Sequence, residues 1–253
     1  MNRRNFFKKT AATGAATLLI PEIVKAAMPE SSSTNESQLH YLSKGETILF
    51  QGDSITDWGR SRRDEPTPST QGQLGGGYVL FTGANILANN PEKELKIYNR
   101  GISGNKVFEL ADRWTKDCIE LKPDILSIMI GVNDFWHTKT HNYTGTVEKY
   151  ATDLDKLIKD TKKQLPNIKI VILEPFIVHG GSALDDTWEN DFAPYRKAAK
   201  KVALDNDLIF VPLQSVFNEA LKKAPASYWS TDGVHPSFTG GQLIAQAWIK
   251  AVL

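Results

Sequence analysis

Three short stretches hold residue types that could do chemistry together. Gly52-Asp53-Ser54-Ile55-Thr56-Asp57 brings a serine. Gly131-Val132-Asn133-Asp134 brings a side-chain amide, and Asp232-Gly233-Val234-His235-Pro236 an acid and an imidazole. A serine hydroxyl is a poor nucleophile at neutral pH and needs a base to take its proton, most often an oriented histidine. His235 suits that role, and Pro236 restrains the backbone beside it. Asp232, three residues earlier, can curl back and set the tautomer of His235. Alone, Asp-x-x-His describes many surface turns with a capping acid. Paired with Gly-Asp-Ser it completes a nucleophile and its base. Acyl transfer also needs donors aimed at the developing oxyanion, each worth about 3 kcal/mol. Asn133 can lend its amide and Ser54 its own N–H. A glycine in Asn99-Arg100-Gly101-Ile102-Ser103-Gly104-Asn105 can bring a further backbone N–H close. This is the inventory of a serine acyl hydrolase.

Such groups must be held by a scaffold, and the chain supplies one. Apolar runs at 47–51, 95–99, 124–130, 168–173 and 208–211 read as strands. The run at 124–130 is almost continuously apolar, as in a strand covered on both faces. Helical spacing of apolar residues falls at 77–89, 107–121, 146–164, 187–206, 214–222 and 238–252. Strands alternating with helices predict an α/β fold, one parallel sheet with helices on both faces. The reactive stretches follow the first and third strands and precede the last helix. Open α/β sheets bind ligands at the carboxyl ends of their strands.

The motifs resemble the SGNH, or GDSL, hydrolase family. Its four blocks stand in order: Gly52-Asp53-Ser54, the glycine after strand two, Gly131-x-Asn133-Asp134 and Asp232-x-x-His235. The resemblance implies a flavodoxin-like three-layer α/β/α sandwich with a five-stranded parallel sheet. It implies Ser54 as nucleophile, His235 as base and Asp232 as the orienting acid. It also implies Ser54, Gly104 and Asn133 as oxyanion donors, with Gly101 as the fallback for Gly104. A narrower similarity to bacterial acetylxylan esterases of the family runs through Gly52 to Arg60, Leu74 to Val79, Gly101 to Asn105 and Ser127 to Trp136. It implies removal of acetyl groups from a plant polysaccharide or its oligomers. The chain departs from that pattern at Thr231-Asp232-Gly233, where those enzymes carry tryptophan and arginine around the acid.

The expected substrate contacts are Trp136, Tyr78 and Asp53, with Trp58 beside them; aromatic rings there could limit the acyl pocket and stack on sugar faces. Core packing is the competing reading for each ring. Arg60, Arg62 and Arg63 are read as a solvated loop or as partners of Asp57, Asp64 and Glu65. His137 and His141 have helical metal-ligand spacing without a third ligand, so no metal is expected, and no cofactor. Gly75-Gly76-Gly77 lacks the ending of a phosphate loop and reads as a helix start. His179 is a candidate substrate contact, His40 a solvated one, and Cys118 a core residue.

Of 253 residues, 41% are apolar and 23% charged, and the net charge is +1. That balance gives no reason to expect nucleic acid. The first residues, Met1 to Lys9, are basic with twin arginines, followed by a short apolar segment and Val24-Lys25-Ala26. This reads as a twin-arginine export signal over 1–26, directing the protein to the periplasm or beyond. The apolar segment is too short for a membrane anchor. Cleavage after Ala26 leaves 25 basic and 28 acidic residues, a net charge of −3. Residues 27–40 read as a disordered polar linker, and 41–253 as one domain. The expected partner is an acetylated carbohydrate; a homo-oligomer is left open. The alternatives are a lysophospholipase or thioesterase-like lipolytic hydrolase, disfavoured by polar, glycine-rich loops, and a non-catalytic carbohydrate-binding protein.

Overall fold

Residues 47–52 bury every side chain, and those of 125–129 do the same. Strands that present no polar face must lie inside a covered sheet. The computed structural model describes residues 19–29, 41–63 and 67–253. The expected leader up to residue 18, most of the expected linker, His40, and the acids Asp64 and Glu65 lie outside the described residues.

In chain order, helix α1 is Leu19–Ala27, strand β1 Thr47–Gly52, and α2 the single turn Ser54–Asp57. Helices α3 (Gln71–Leu74) and α4 (Tyr78–Asn89) lead to β2 (Lys96–Asn99). Helices α5 (Val107–Asp112) and α6 (Trp114–Asp117) precede β3 (Ile125–Met129). Helices α7 (Val132–Thr140) and α8 (Val147–Gln164) precede β4 (Lys169–Leu173). Helix α9 (Trp188–Asp205) leads to β5 (Ile209–Val211), and α10 (Leu213–Leu221), α11 (Ala226–Trp229) and α12 (Phe238–Val252) follow.

The five strands form one parallel sheet in the order β2-β1-β3-β4-β5. The chain leaves β1 toward one edge and returns to β3 on its other side. The reversal opens a crevice at the carboxyl ends of β1 and β3. On one face α4, α10 and α12 pack together; on the other α8 packs with α5 and α9. The expected three-layer α/β/α sandwich is therefore the fold. Phe50 and Ser127 are register partners on β1 and β3. Phe50 meets the rings of Tyr78 and Trp248 at 5.8 and 5.5 Å, and the Trp248 indole N–H donates to Ser127 Oγ at 3.0 Å. Burying a side chain such as Phe50 is worth roughly 1.5–3 kcal/mol.

Several elements differ from the sequence pattern: helices α1, α2, α3, α7 and α11 lie outside the expected ones. The helix expected over 107–121 is broken at Arg113 and Cys118 into α5, α6 and a 3₁₀ turn at Ile119–Leu121. Gln51 at the end of β1 donates to the Asp117 carbonyl at 2.7 Å, and the Arg113 guanidinium donates to Gln51, Arg100 O and Asp117. The bond from Gln51 takes the Asp117 carbonyl, a group that a continuous helix would use internally. The packed body also begins earlier than residue 41. α1 lies against α10 and α12 with Ile23 and Val24 buried, and Lys250 Nζ donates to Met28 O at 2.6 Å. No described helix is long and apolar enough to cross a membrane.

Candidate active site

β1 ends at Gly52, where a Cβ would stand 2.4 Å from the Met129 carbonyl of β3 and 2.3 Å from Thr56 Oγ1. Only glycine lets the two strands and the next turn close so tightly. Asp53 then caps α2, its Oδ1 accepting the Ile55 N–H at 3.0 Å, and Trp58 ends the turn in the left-handed conformation at φ 37°. This single turn sets Ser54 at the mouth of the crevice, partly exposed.

His235 reaches Ser54 from 181 positions away, its Nε2 2.9 Å from the Ser54 Oγ. Its Nδ1 lies 2.7 Å from Asp232 Oδ2, and Asp232 Oδ1 accepts the N–H groups of Val234 and His235 at 2.8 and 2.7 Å. Burial opposes ionisation of Asp232, but the bonds from the His235 ring and from the two N–H groups outweigh it and hold the carboxyl below its usual range. An ionised carboxylate only accepts, so Nδ1 carries the proton and Nε2 offers its lone pair to the serine hydroxyl. The loop is braced on both sides. Ser230 Oγ donates to His235 O at 2.7 Å, and the segment after β4 donates Val178 N to Gly233 O and Ala183 N to Asp232 O. Trp58 and Trp136 stand beside the imidazole at ring distances of 6.1 and 6.2 Å.

The loop after β2 curls into the same crevice. Gly101 donates its N–H to Asn99 Oδ1 at 2.9 Å, and a Cβ there would fall 2.3 Å from the Asp57 nitrogen. Gly101 is thus a packing glycine with a committed N–H. Gly104, at φ 83°, is partly exposed, and among the described residues neither its N–H nor that of Ser54 donates a hydrogen bond. Asn133 Nδ2 donates one hydrogen to Asn105 O at 3.2 Å and keeps the other. Ser54, His235 and Asp232 form one connected hydrogen-bonded chain, with donor groups on two neighbouring loops.

Residues 50–243 match the model of the GDSL-like lipase/acylhydrolase family. The chain belongs to that family. It is similar to an acetylxylan esterase of Geobacillus stearothermophilus, 36% identical over 219 residues that span 83% of this chain and 95% of the relative. Among solved structures it resembles a GDSL-like lipase from Parabacteroides merdae, with TM-score 0.82 and 52% identity over 84% of this chain and 98% of that one. An acetylxylan esterase structure from Geobacillus stearothermophilus gives TM-score 0.74 and 34% identity over 84% and 96%. Solved variants of that esterase, described as catalytic mutants, replace a serine, an aspartate and the histidine three places after the aspartate by alanine. Another replaces the tryptophan directly before that aspartate. The present chain, as a GDSL-family member with these relatives, is a carboxylic ester hydrolase.

Two expected substrate contacts in this GDSL fold are not at its surface. Tyr78 is 0% exposed, packed on Phe50 with its hydroxyl 3.1 Å from Thr56 Oγ1. Asp53 is 1% exposed and spends its carboxylate on capping α2. Both support the nucleophile turn from behind and offer no surface to a substrate. Burial pushes the Asp53 carboxyl up to about 7, against the Ile55 bond and the His235 charge. Asp134, buried and bonded to the Val107 N–H, is likewise raised to about 7. Trp136 keeps partial exposure and packs on Trp188 at 5.5 Å. Arg62 pairs with Asp57 at 2.7 Å, whereas Arg60 is buried and donates to Gly101 O at 2.8 Å. His179 lies 3.2 Å from Glu189 in the loop after β4.

Arg113, Lys106 and Asp57 also hold the site, and no motif in the sequence marks them for it. Arg113 Nε donates to Asn105 Oδ1 at 2.9 Å, and Asp57 accepts from Ser103. Local spacing shows only their near pairings, with Asp117, Glu109 and Arg62; the bonds that tie them to the site reach other loops. His137 sits on α7, a helix outside the apolar pattern; the sequence offered only its four-residue spacing from His141.

Proposed function

We propose that the protein is an exported serine esterase that removes O-acetyl groups from a plant polysaccharide or its oligosaccharides. The observation that carries the reading is the Ser54 Oγ–His235 Nε2 contact of 2.9 Å, with Asp232 holding Nδ1 from the far side. Ser54 Oγ attacks the acetyl carbonyl while His235 Nε2 takes the hydroxyl proton. The tetrahedral oxyanion meets the N–H groups of Ser54 and Gly104 and the amide of Asn133. Collapse breaks the ester bond, and the departing sugar oxygen takes the proton from His235. Water, deprotonated by the same Nε2, then attacks the acetyl-Ser54 ester; acetate leaves and Ser54 regains its proton.

Two observations support a small acyl group on a carbohydrate. The relative at 36% identity is named an acetylxylan esterase. Its catalytic-mutant positions, a serine and an aspartate followed three places later by a histidine, have counterparts in Ser54, Asp232 and His235. Trp58 and Trp136, each about 6 Å from the reacting imidazole and partly exposed, could offer apolar faces to a short acyl group or a sugar ring. Thr231 stands where that esterase has tryptophan, so the sugar contacts on this side differ.

Hydrolysis of nitrophenyl acetate, butyrate and octanoate, with acetylated xylo-oligosaccharide alongside, tests the proposal. A steep fall from acetate to octanoate with acetate release from the oligosaccharide is expected. A rise with chain length would move the enzyme to lipolytic substrates. Export by the twin-arginine route is the second part of the proposal, supported by the order Arg3-Arg4-x-Phe6-Phe7-Lys8. Replacing both arginines by lysine should hold the protein in the cytoplasm of a host with that pathway; unchanged export would defeat it. Cleavage after Ala26 would detach nearly all of α1 from α10 and α12.

A further inference from the structure

α7 carries Asn133 and His137 four residues apart, so both project from one side of the helix. Both reach the loop after β2. Asn133 touches Asn105 O, and His137 meets the next residue, Lys106, whose Nζ lies 3.2 Å from the His137 Nδ1. An ammonium has donors only, so Nδ1 is the acceptor and the ring proton sits on Nε2. Lys106 is itself held firmly. Its side chain is buried, ion-paired to Glu109 at 2.7 Å, and placed 5.3 and 5.4 Å from the ring centres of Phe108 and Tyr143. Burial, the Lys106 charge and His141 depress the His137 pKa, with Glu109 opposing, so the ring stays neutral.

His137 Nε2 thus carries a hydrogen of set direction and, among the described residues, has no hydrogen-bond partner. The ring is partly exposed. A Cβ added to Gly104 would meet His137 Cε1 at 3.9 Å, which puts this edge of the ring beside the proposed oxyanion glycine. Three other donors already serve the oxyanion in the proposed reaction. A ring kept neutral by its neighbours is matched to an uncharged oxygen better than to an anion.

We infer that the Nε2–H of His137, fixed by Lys106, is a specificity-determining donor to a hydroxyl or ring oxygen of the carbohydrate that carries the ester. The inference rests on the carbohydrate reading above. It extends the site from Gly104 along α7, one turn beyond Asn133.

The test compares full-length wild type, His137→Ala and His137→Asn on nitrophenyl acetate and on acetylated xylo-oligosaccharide, with thermal melting to confirm folding. The ratio of kcat/KM for oligosaccharide over aryl ester should fall about five- to tenfold in His137→Ala, carried by KM, as for loss of one neutral hydrogen bond. His137→Asn, which keeps an N–H donor, should recover most of it. Lys106→Met, which frees the tautomer, should lower the ratio in the same direction. A parallel loss on both substrates would assign His137 to the oxyanion or to structure and overturn the inference, as would an unchanged ratio. Wild type that releases no acetate from any acetylated carbohydrate would overturn the carbohydrate reading and this inference together. An active wild type with an unchanged ratio in His137→Ala overturns the inference alone.

Discussion

Asp57 holds Ser103 by two bonds to one oxygen: its Oδ2 accepts the Ser103 N–H at 3.0 Å and the Ser103 hydroxyl at 3.1 Å. The nucleophile turn therefore fixes the residue just before Gly104. Two of the three proposed oxyanion donors, the N–H of Ser54 and that of Gly104, are tied through a carboxylate three residues beyond the serine. Arg62 donates to the same oxygen at 2.7 Å. Asp57→Ala should lower kcat by about ten- to a hundredfold through misplacement of Gly104. KM for nitrophenyl acetate should change little. Steady-state kinetics would show this; a kcat within twofold of wild type would mean that the Gly104 loop holds itself.

Ser54→Ala and His235→Ala should each abolish measurable turnover, a fall of about 10⁴-fold or more, with the melting temperature close to wild type. Ser54 is partly exposed and contributes little to packing. Asp232→Asn should keep part of the rate, because the acid orients the ring and never bonds to substrate. Active-site titration with an organophosphate, followed by intact mass, would read the nucleophile directly. Labelling that persists in Ser54→Ala would place the nucleophile elsewhere.

Asn133→Ala should reduce kcat by about 10²–10³-fold, the usual effect of losing one oxyanion donor. The same substitution also releases Asn105 O, to which Asn133 donates at 3.2 Å. Asn133→Asp keeps the size and removes both donated hydrogens, so it sets donation against side-chain volume. Both variants failing alike on nitrophenyl acetate supports the donor role; recovery in Asn133→Asp would point to size alone.

Asp53 makes a prediction about stability and pH. Burial raises its carboxyl from 3.8 to about 7 in the folded protein. Between these values the unfolded chain has released a proton that the folded protein still holds. The contribution of Asp53 to stability therefore declines as pH rises from about 4 to about 7 and stays low above that. Asp53→Asn keeps an oxygen for the Ile55 cap and removes the titration. Its melting temperature relative to wild type should rise from pH 4 to pH 8. A difference that stays constant over this range would show that the Asp53 carboxyl is not perturbed as its burial implies.

Much of this protein follows from its sequence alone. The five strands appear as apolar runs because a strand buried on both faces has few positions for polar side chains. Their observed limits lie within a residue or so of the expected ones. Ser54, Asn133, Asp232 and His235 are legible because each sits in a tight motif, and local rules explain its form. Gly52 must pass a neighbouring carbonyl, Asp53 must cap a turn, and Pro236 must hold a loop that enters α12.

Other features depend on which distant residues meet, and spacing along the chain carries no record of that. Tyr78 and Asp53 were expected at the substrate, yet the sheet and α12 bury one and the nucleophile turn encloses the other. The motif favours Gly104 over Gly101 only by resemblance; in the fold Asn99 occupies the N–H of Gly101, and among the described residues that of Gly104 donates no hydrogen bond. The single helix expected over 107–121 is broken at Arg113 and Cys118, where Gln51 of β1 donates to the Asp117 carbonyl and the Arg113 side chain turns to Gln51 and Arg100 O. The tautomer of His137 is set by Lys106, 31 residues away. Hydrogen-bond partners and burial are properties of the assembled chain, so only the tertiary structure could assign them.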